Sequence, residues 1–248
     1  VALGLDDEFL HQYRIAIRRS RAIAESVQDV TADKSLAKGV KTLKRHARAT
    51  GPLRDLHVFL QDLPELCADD AEIRAALQIW FEREAASHHE KLAKRLKSKR
   101  YRDSLEHWRN LIDSRKFQKL AATLRPKDIR RAVERRIKEF NKRTAELMHT
   151  SPDEDIHRLR KQLKRIRYLM ELDAKTWKRN LKTLKERQEL YGRFQDLHVQ
   201  ILLLDQFRQA APEVLPAALN GIVETLEDHK ANARKQILTL GGLDGAPL

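Results

Sequence analysis

An internal repeat restricts the fold of this chain more than any other feature of its sequence. Residues 11–21 read HQYRIAIRRSR and residues 157–167 read HRLRKQLKRIR, so both follow the pattern His-x-x-Arg-x-x-x-basic-Arg-x-Arg. Two further pairs of segments match in the same order, namely 34–44 with 175–185 and 51–58 with 192–199. Self-similarity of this kind is typical of duplicated supersecondary units. The sequence therefore predicts two copies of one helical bundle, related by a pseudo-two-fold axis.

The chain is predicted to be all-α. Its glycines and prolines are scarce and stand between periodic segments, and β-branched residues are few. The predicted helices are 6–28, 34–49, 53–63, 70–99, 113–122, 127–149, 153–173, 176–192, 194–209 and 213–239. Gly51 and Gly192 are interpreted as residues of positive φ that end helices. The least regular region, 100–126, is interpreted as the boundary between the halves.

Each repeated helix carries its cations on one face. Successive residues of an α-helix are about 100° apart, so spacings of three and four bring side chains together. In the first copy the shared face holds His11, Arg14, Arg18 and Arg21, with Arg19 on its flank. The second copy repeats this face with His157, Arg160, Lys164 and Arg167. The lysine-rich segments form two more such stripes, Lys34, Lys38, Lys41 and Lys44 and then Lys175, Arg179, Lys182 and Lys185.

These stripes have two interpretations. A single run of Lys and Arg on a helix is most often a solvated face. Like charges four residues apart repel by about a few tenths of a kcal/mol per pair, however, and these faces contain no Glu or Asp to relieve the repulsion. Four stripes in two matched copies, in a chain with a net charge of +14, favour a bound polyanion as the compensating partner.

The remaining chemistry of the sequence is sparse. His11 and His157 are interpreted either as phosphate ligands or as structural residues at the edge of a bundle. Asp55 and Asp196 are interpreted as caps or as partners of nearby cations. The sequence lacks a phosphate-cradling glycine loop, a nucleophile beside a base and a His-x-x-x-His or Cys-x-x-Cys spacing, so neither an enzyme nor a metal site is predicted.

The compartment is predicted from two features. A single cysteine, Cys67, cannot form an internal disulfide, which suits a reducing, cytoplasmic location. The longest aliphatic run, 201–204, is far shorter than the roughly 18 apolar residues of a membrane span.

The two His-x-x-Arg helices and the two Gly-x-x-(Arg/Gln)-Asp-x-His-Val segments resemble the CHAD family, the conserved histidine α-helical domain. The resemblance covers about residues 6 to 240. It implies a single domain over 1–248, with four-helix-bundle-like repeats at 1–112 and 113–248 and a basic groove or pore between them. It also implies that the N-terminal helix of the first repeat is missing from this chain, and that a triphosphate-tunnel (CYTH) domain is a possible fused or neighbouring partner.

The function implied by the resemblance is non-catalytic binding of inorganic polyphosphate, with attachment to polyphosphate granules, and no cofactor. The alternative is a basic helical protein that binds nucleic acid, although aromatic residues make up only 6% of the chain and offer few stacking platforms. The predicted polyphosphate-binding residues are His11, Arg14, Arg18, Arg19, Arg21, Lys38, Lys41, Lys44, Arg45, Arg48, Arg54, His157, Arg160, Lys161, Lys164, Arg165, Arg167, Arg179, Lys182 and Lys185.

The second copy departs from the first at three of these places. Gln195 stands where the first copy has Arg54. Glu186 and Glu189 stand opposite Arg45 and Arg48. We therefore expect weaker anion binding along the second lysine-rich helix than along the first.

Overall fold

A computed structural model describes residues 7–244. Within this range the chain forms helices and no strand, which confirms the all-α prediction. The helices are α1 (Asp7–Thr31), α2 (Ala37–Ala49), α3 (Gly51–Leu66), α4 (Ala71–Lys97), α5 (Lys99–Ile112), α6 (Arg115–Ala122), α7 (Pro126–Ala145), α8 (Asp153–Glu171), α9 (Lys178–Ala210) and α10 (Pro216–Leu240). None of these described helices combines the length and apolar character that a membrane span requires.

Two predictions of local structure were wrong. The region 100–126 is not irregular: α5 occupies it as far as Ile112, and α6 follows where Ser114 Oγ accepts a hydrogen bond from the backbone N–H of Phe117. The break predicted at residues 192–194 is absent, because α9 runs unbroken through that point. The cost of a glycine within a helix, about 1 kcal/mol, is offset there by the buried side chains of Tyr191 and Phe194.

The glycines of the repeated motif do not end helices. Gly51 is the first residue of α3 and Gly192 lies inside α9, and neither has positive φ. Among the described glycines positive φ occurs at Gly241, directly after α10. The prediction for Gly51 and Gly192 was therefore wrong. The chain turns instead at Thr50, whose own φ of −95° and ψ of −5° are ordinary for any residue.

The chain divides into two compact units. Unit 1 is built from residues up to Arg19, Gly39–Leu111 and His198–Asp228; unit 2 is built from Ser20–Lys38, Ile112–Leu197 and the residues from His229 onward. The pseudo-two-fold relation and the repeat boundaries stay predictions.

Unit 1 has an aromatic core where α3 packs against α4. The ring of Phe81 lies 4.3 Å from that of Phe59, and the ring of Trp80 lies 5.7 Å from that of Phe207. Asp70 caps α4 by accepting hydrogen bonds from the N–H groups of the second and third residues of that helix. This packing fixes α3 and α4, and through them the corner at Thr50.

A second close contact in unit 1 joins α2 to α5. A Cβ placed on Gly39 would lie 2.7 Å from ring carbons of Trp108, which is buried. The ring therefore occupies the space that any side chain at residue 39 would need. The absence of a side chain at Gly39 is what allows the two helices to approach.

Unit 2 has its core where α7 packs against α8, around Phe140, Leu163 and Trp177. Asp29 of α1 binds Arg136 of α7, with Oδ2 3.0 Å from Nε. This pair ties the unit 2 part of α1 to α7.

The connection between α7 and α8 is held by one arginine from α10. Arg234 donates hydrogen bonds to the carbonyl of Ser151 at 2.6 Å and to the carboxylate of Asp153, and its guanidinium lies 5.5 Å from the ring centre of Phe194. Lys230, one turn earlier, lies 3.3 Å from the same carboxylate. Asp153 begins α8, so these contacts fix where that helix starts.

Candidate anion-binding site

Arg14 reaches from α1 to the corner between α2 and α3. Its Nη1 donates a hydrogen bond of 2.7 Å to Oγ1 of Thr50, which is only 1% exposed. The hydroxyl of Thr50 in turn donates to the carbonyl of Ala47 at 2.8 Å. Pro52 favours a helix start at this point, because its fixed φ suits the first turn. The corner therefore holds Arg14 in one orientation.

The guanidinium of Arg14 belongs to a group of three cations and one carboxylate that we call the Arg14 cluster: Arg14, Arg18, Arg54 and Asp55. Burial lowers the pKa of Arg14, the charge of Asp55 opposes that shift, and the charges of Arg18 and Arg54 add to it. Arg18 follows Arg14 by one turn of α1, and Arg54 and Asp55 lie in the first turns of α3, directly after the Thr50 to which Arg14 is bonded. Three cations face one carboxylate in a half-buried setting, where repulsion is less screened than in open solvent.

Arg54 has a second acidic neighbour. Its positive charge also lowers the pKa of Asp62, although burial acts more strongly and leaves that pKa raised. Asp62 accepts a hydrogen bond of 3.0 Å from Gln200. The charge of Arg54 is thus offset in part.

The α2 stripe of unit 1, Lys41, Lys44, Arg45 and Arg48, extends the positive charge along the helix that leads to the corner. All four side chains are exposed. Within the part of the chain that the structure describes, none of them forms an ion pair. They are available to an anion from solvent, and Arg48 stands two residues before Thr50.

The other predicted residues of the first copy are placed differently. Arg19 is exposed on α1 in unit 1. Arg21 and Lys38 belong to unit 2, and Arg21 lies 3.6 Å from the carboxylate of Glu25. His11 is half-buried on α1 and makes no hydrogen bond with the described residues.

In the second copy His157 is held by a side chain. Its Nδ1 forms a hydrogen bond with Oε1 of Gln195, the residue that aligns with Arg54. Burial lowers the pKa of His157, the bond to Gln195 opposes that shift, and the charges of Lys161 and Arg160 add to it. This contact favours the structural interpretation of His157 over that of a charged phosphate ligand.

Several cations of the second copy are already paired within unit 2. Lys161 lies 3.7 Å from Glu154, and Lys185 lies 3.8 Å from Glu189. Arg167 lies 3.0 Å from Glu171 and donates a hydrogen bond of 2.9 Å to Gln188. Arg160 and Lys164 are half-buried, while Arg165, Arg179 and Lys182 are exposed. The second copy therefore offers fewer uncompensated cations than the first.

Two residues that shape the site were not predicted from the sequence. Thr50 anchors Arg14, and the repeat aligns it with Tyr191, a buried residue whose hydroxyl has no hydrogen-bond partner among the described residues. Burial raises the pKa of Tyr191 to about 12. The sequence shows that Gln195 replaces the Arg54 of the first copy, but it does not predict the bond of Gln195 to His157. Thr50 directly precedes Gly51 of the repeated motif, and this place in the motif is the sequence feature that could have identified it.

Comparison with known proteins gives a consistent result. The family model described as CHAD domain matches residues 1–205. A solved structure, the crystal structure of the CHAD domain from the plant Ricinus communis, matches with a TM-score of 0.70 at 24% sequence identity, covering 94% of this chain and 82% of the other. That likeness shows a shared fold. No curated protein matches the chain.

Proposed function

The chain belongs to the CHAD domain family, and from this premise we propose that it binds inorganic polyphosphate without transforming it. The family is associated with this ligand. The proposal assigns the main binding surface to the Arg14 cluster and the α2 stripe of unit 1. Attachment to polyphosphate granules is the corresponding proposal for its location.

The observation that carries the proposal is the accumulation of cations around Arg14. Repulsion between Arg14, Arg18 and Arg54 costs free energy in the ligand-free protein. A phosphate oxygen bound between them would attract all three guanidinium groups and offset that repulsion. Guanidinium groups also bind phosphate in a bidentate manner, which a solubilising face does not require.

A linear polyanion fits this surface better than a single small anion. The α2 stripe continues the positive charge for about two helical turns, from Lys41 to Arg48, so that successive phosphates can each meet a cation. Binding of this kind releases counterions, and its affinity falls steeply with salt.

The test is a titration of the full chain with long-chain polyphosphate at about 150 mM salt, with tripolyphosphate and duplex DNA as competitors. Tight binding that resists both competitors supports the proposal. If duplex DNA displaces bound polyphosphate readily, the result supports the nucleic-acid alternative. If polyphosphate does not bind at this salt concentration, the positive charge of the chain has only a generic effect.

Two matched variants separate the site from the net charge. Arg18→Glu reverses a half-buried cation of the Arg14 cluster and is expected to weaken polyphosphate binding at least about tenfold, since both attraction and neighbouring geometry change. Arg83→Glu makes the same change in net charge on the exposed surface of α4 and is expected to matter little. Equal losses in the two variants would overturn the assignment of the site.

A further inference from the structure

A cavity of about 340 Å³ lies in unit 1, apart from the α2 stripe, where α3, α4 and the unit 1 part of α9 meet. Its volume is within the range of small-molecule sites. Leu56, Leu202 and Leu203 give it an apolar wall, and Leu202 is 47% exposed despite its aliphatic side chain. This combination of an open volume and an aliphatic wall is suited to the hydrocarbon part of a ligand.

Trp80 forms another part of the wall, and its ring is fixed by its neighbours. It meets Phe81 at 4.7 Å and Phe207 at 5.7 Å, in both cases nearly perpendicular. These edge contacts hold the indole in one orientation without help from a ligand. A fixed indole at a cavity wall is a favourable neighbour for a cation.

The polar part of the lining is acidic, in a protein whose net charge is +14. Asp55 lines the cavity from α3 and Glu84 lines it from α4. Glu84 is half-buried and forms no ion pair with the described residues. A carboxylate in that position is stabilised by a cation that enters the cavity.

His88 and Gln206 also belong to the polar lining. The position of His88 is the more informative of the two. His88 follows Glu84 by four residues and Trp80 by eight, so the three side chains lie along one face of α4. A ring nitrogen of a neutral imidazole can accept a hydrogen bond. Glu84 and His88 therefore offer acceptors for the N–H donors of a primary ammonium group on one face of α4, whereas Asp55 already belongs to the Arg14 cluster.

We propose that this cavity binds a primary alkylammonium group, with its NH₃⁺ toward Glu84 and His88 and its hydrocarbon chain against the leucine wall. A free amine and the lysine side chain of another protein share this chemistry. Asp55 lines the cavity and also belongs to the Arg14 cluster, but Glu84 and His88 lie on α4, outside the surface proposed for polyphosphate, so variants of Glu84 test the two proposals separately.

The test is calorimetric titration of the full chain with n-hexylammonium chloride, with 1-hexanol and sodium hexanoate as probes of the same chain length. Hexylammonium is expected to bind at least about tenfold more tightly than hexanol, and hexanoate not measurably, because only the ammonium carries a charge that Glu84 attracts. A parallel titration with Nα-acetyl-lysine methylamide distinguishes the sources: tighter binding of this compound assigns the cavity to a lysine side chain, and tighter binding of hexylammonium assigns it to a free amine.

Fluorescence locates the bound amine. Trp108 and Trp177 are both buried, so a change in emission on adding hexylammonium is expected from Trp80 and should disappear in Trp80→Phe. Glu84→Gln is expected to weaken hexylammonium at least about tenfold, whereas Glu90→Gln, an exposed residue of the same helix outside the cavity lining, should leave it unchanged. Circular dichroism confirms that both variants are folded. Hexanol binding as tightly as hexylammonium, no binding to the folded chain, or an equal loss in Glu90→Gln would overturn the proposal.

Discussion

Arg14 and Thr50 lie 36 residues apart in the sequence and are joined by a hydrogen bond of 2.7 Å from guanidinium to hydroxyl. The bond orients a long, flexible side chain before any ligand arrives. An oriented arginine loses less conformational entropy on binding than a free one. Arg14 is therefore the best-ordered cation of the surface that we propose for polyphosphate.

Replacing Thr50 by Val should remove this anchor while keeping the side-chain shape. The free energy of unfolding is expected to fall by about 1–2 kcal/mol, because the half-buried Arg14 loses an acceptor. Polyphosphate affinity is expected to fall a few-fold. Urea denaturation and the polyphosphate titration measure the two effects.

Thr225→Val is the matched control. Thr225 is exposed on α10, and its hydroxyl bonds only to the carbonyl of Gly221, four residues earlier. Its loss should change stability by no more than about 0.5 kcal/mol. Similar losses at residues 50 and 225 would mean that the bond to Arg14 contributes nothing.

Arg54→Gln gives the first copy the residue that the second copy has at the aligned position, Gln195. We expect weaker polyphosphate binding and a shallower salt dependence, with the slope of log K against log salt reduced by roughly one, since one phosphate contact is lost. Binding measured at several salt concentrations tests this. Arg83→Gln should leave the slope as it is, and an unchanged slope in Arg54→Gln would exclude Arg54 from the contact surface.

His46 should make the protein less stable in mild acid. It is 4% exposed, and burial lowers its pKa to about 4, with further lowering by the charges of Arg95 and Arg45. Ser104, which bonds to Nε2 at 2.7 Å, donates its own proton to the carbonyl of Tyr101, so Nε2 carries the hydrogen. Protonation would place a second hydrogen on Nδ1, which has no acceptor among the described residues.

The sign of the effect follows from proton binding. The unfolded chain takes up a proton at His46 near pH 6.5, whereas the folded chain does so only near pH 4, so stability falls as the pH drops between these values. The loss from this group should be about 2 kcal/mol between pH 7 and pH 4.5. Urea denaturation at a series of pH values in His46→Gln should show a correspondingly flatter profile, and parallel profiles would contradict the assignment.

Gly39→Ala should be strongly destabilising, whereas Gly221→Ala should not. The new methyl group at residue 39 would meet the ring of Trp108 at 2.7 Å, and relief of that contact requires α2 and α5 to move apart. We expect a loss of about 1–3 kcal/mol. Nothing lies within 4 Å of a Cβ at Gly221, inside α10, so alanine there should add about 0.5–1 kcal/mol. Thermal denaturation of both variants checks this, and equal effects would refute it.

The sequence predicted what depends on periodicity. The cationic face of α1 was predicted because Arg14 and Arg18 are four residues apart, and the helix predicted over 153–173 is α8, Asp153–Glu171. Local spacing is sufficient for such features, since the helix itself brings the residues together.

The features that the sequence did not predict depend on contacts between distant segments. The bond between His157 and Gln195 spans 38 residues, and neither residue type specifies the other. The helix α5 was not predicted because Trp108 is its only buried residue, so that its sequence has little apolar periodicity. Gly192 suggested a helix end, but tertiary packing on both sides of it outweighs its weak helix propensity.

The hydrogen bonds of Arg234 to Ser151 and Asp153, at the start of α8, have a consequence for synthesis on the ribosome. Arg234 donates a hydrogen bond to the carbonyl of Ser151, which lies 83 residues earlier in the sequence. Arg234 is therefore translated after all of α7, α8 and α9. The nascent chain can form those helices early but cannot close the connection between α7 and α8 until α10 has emerged. A ribosome that pauses before residue 234 would therefore present that connection to chaperones and proteases without these bonds, and the synthesis of α10 sets the moment at which they can form.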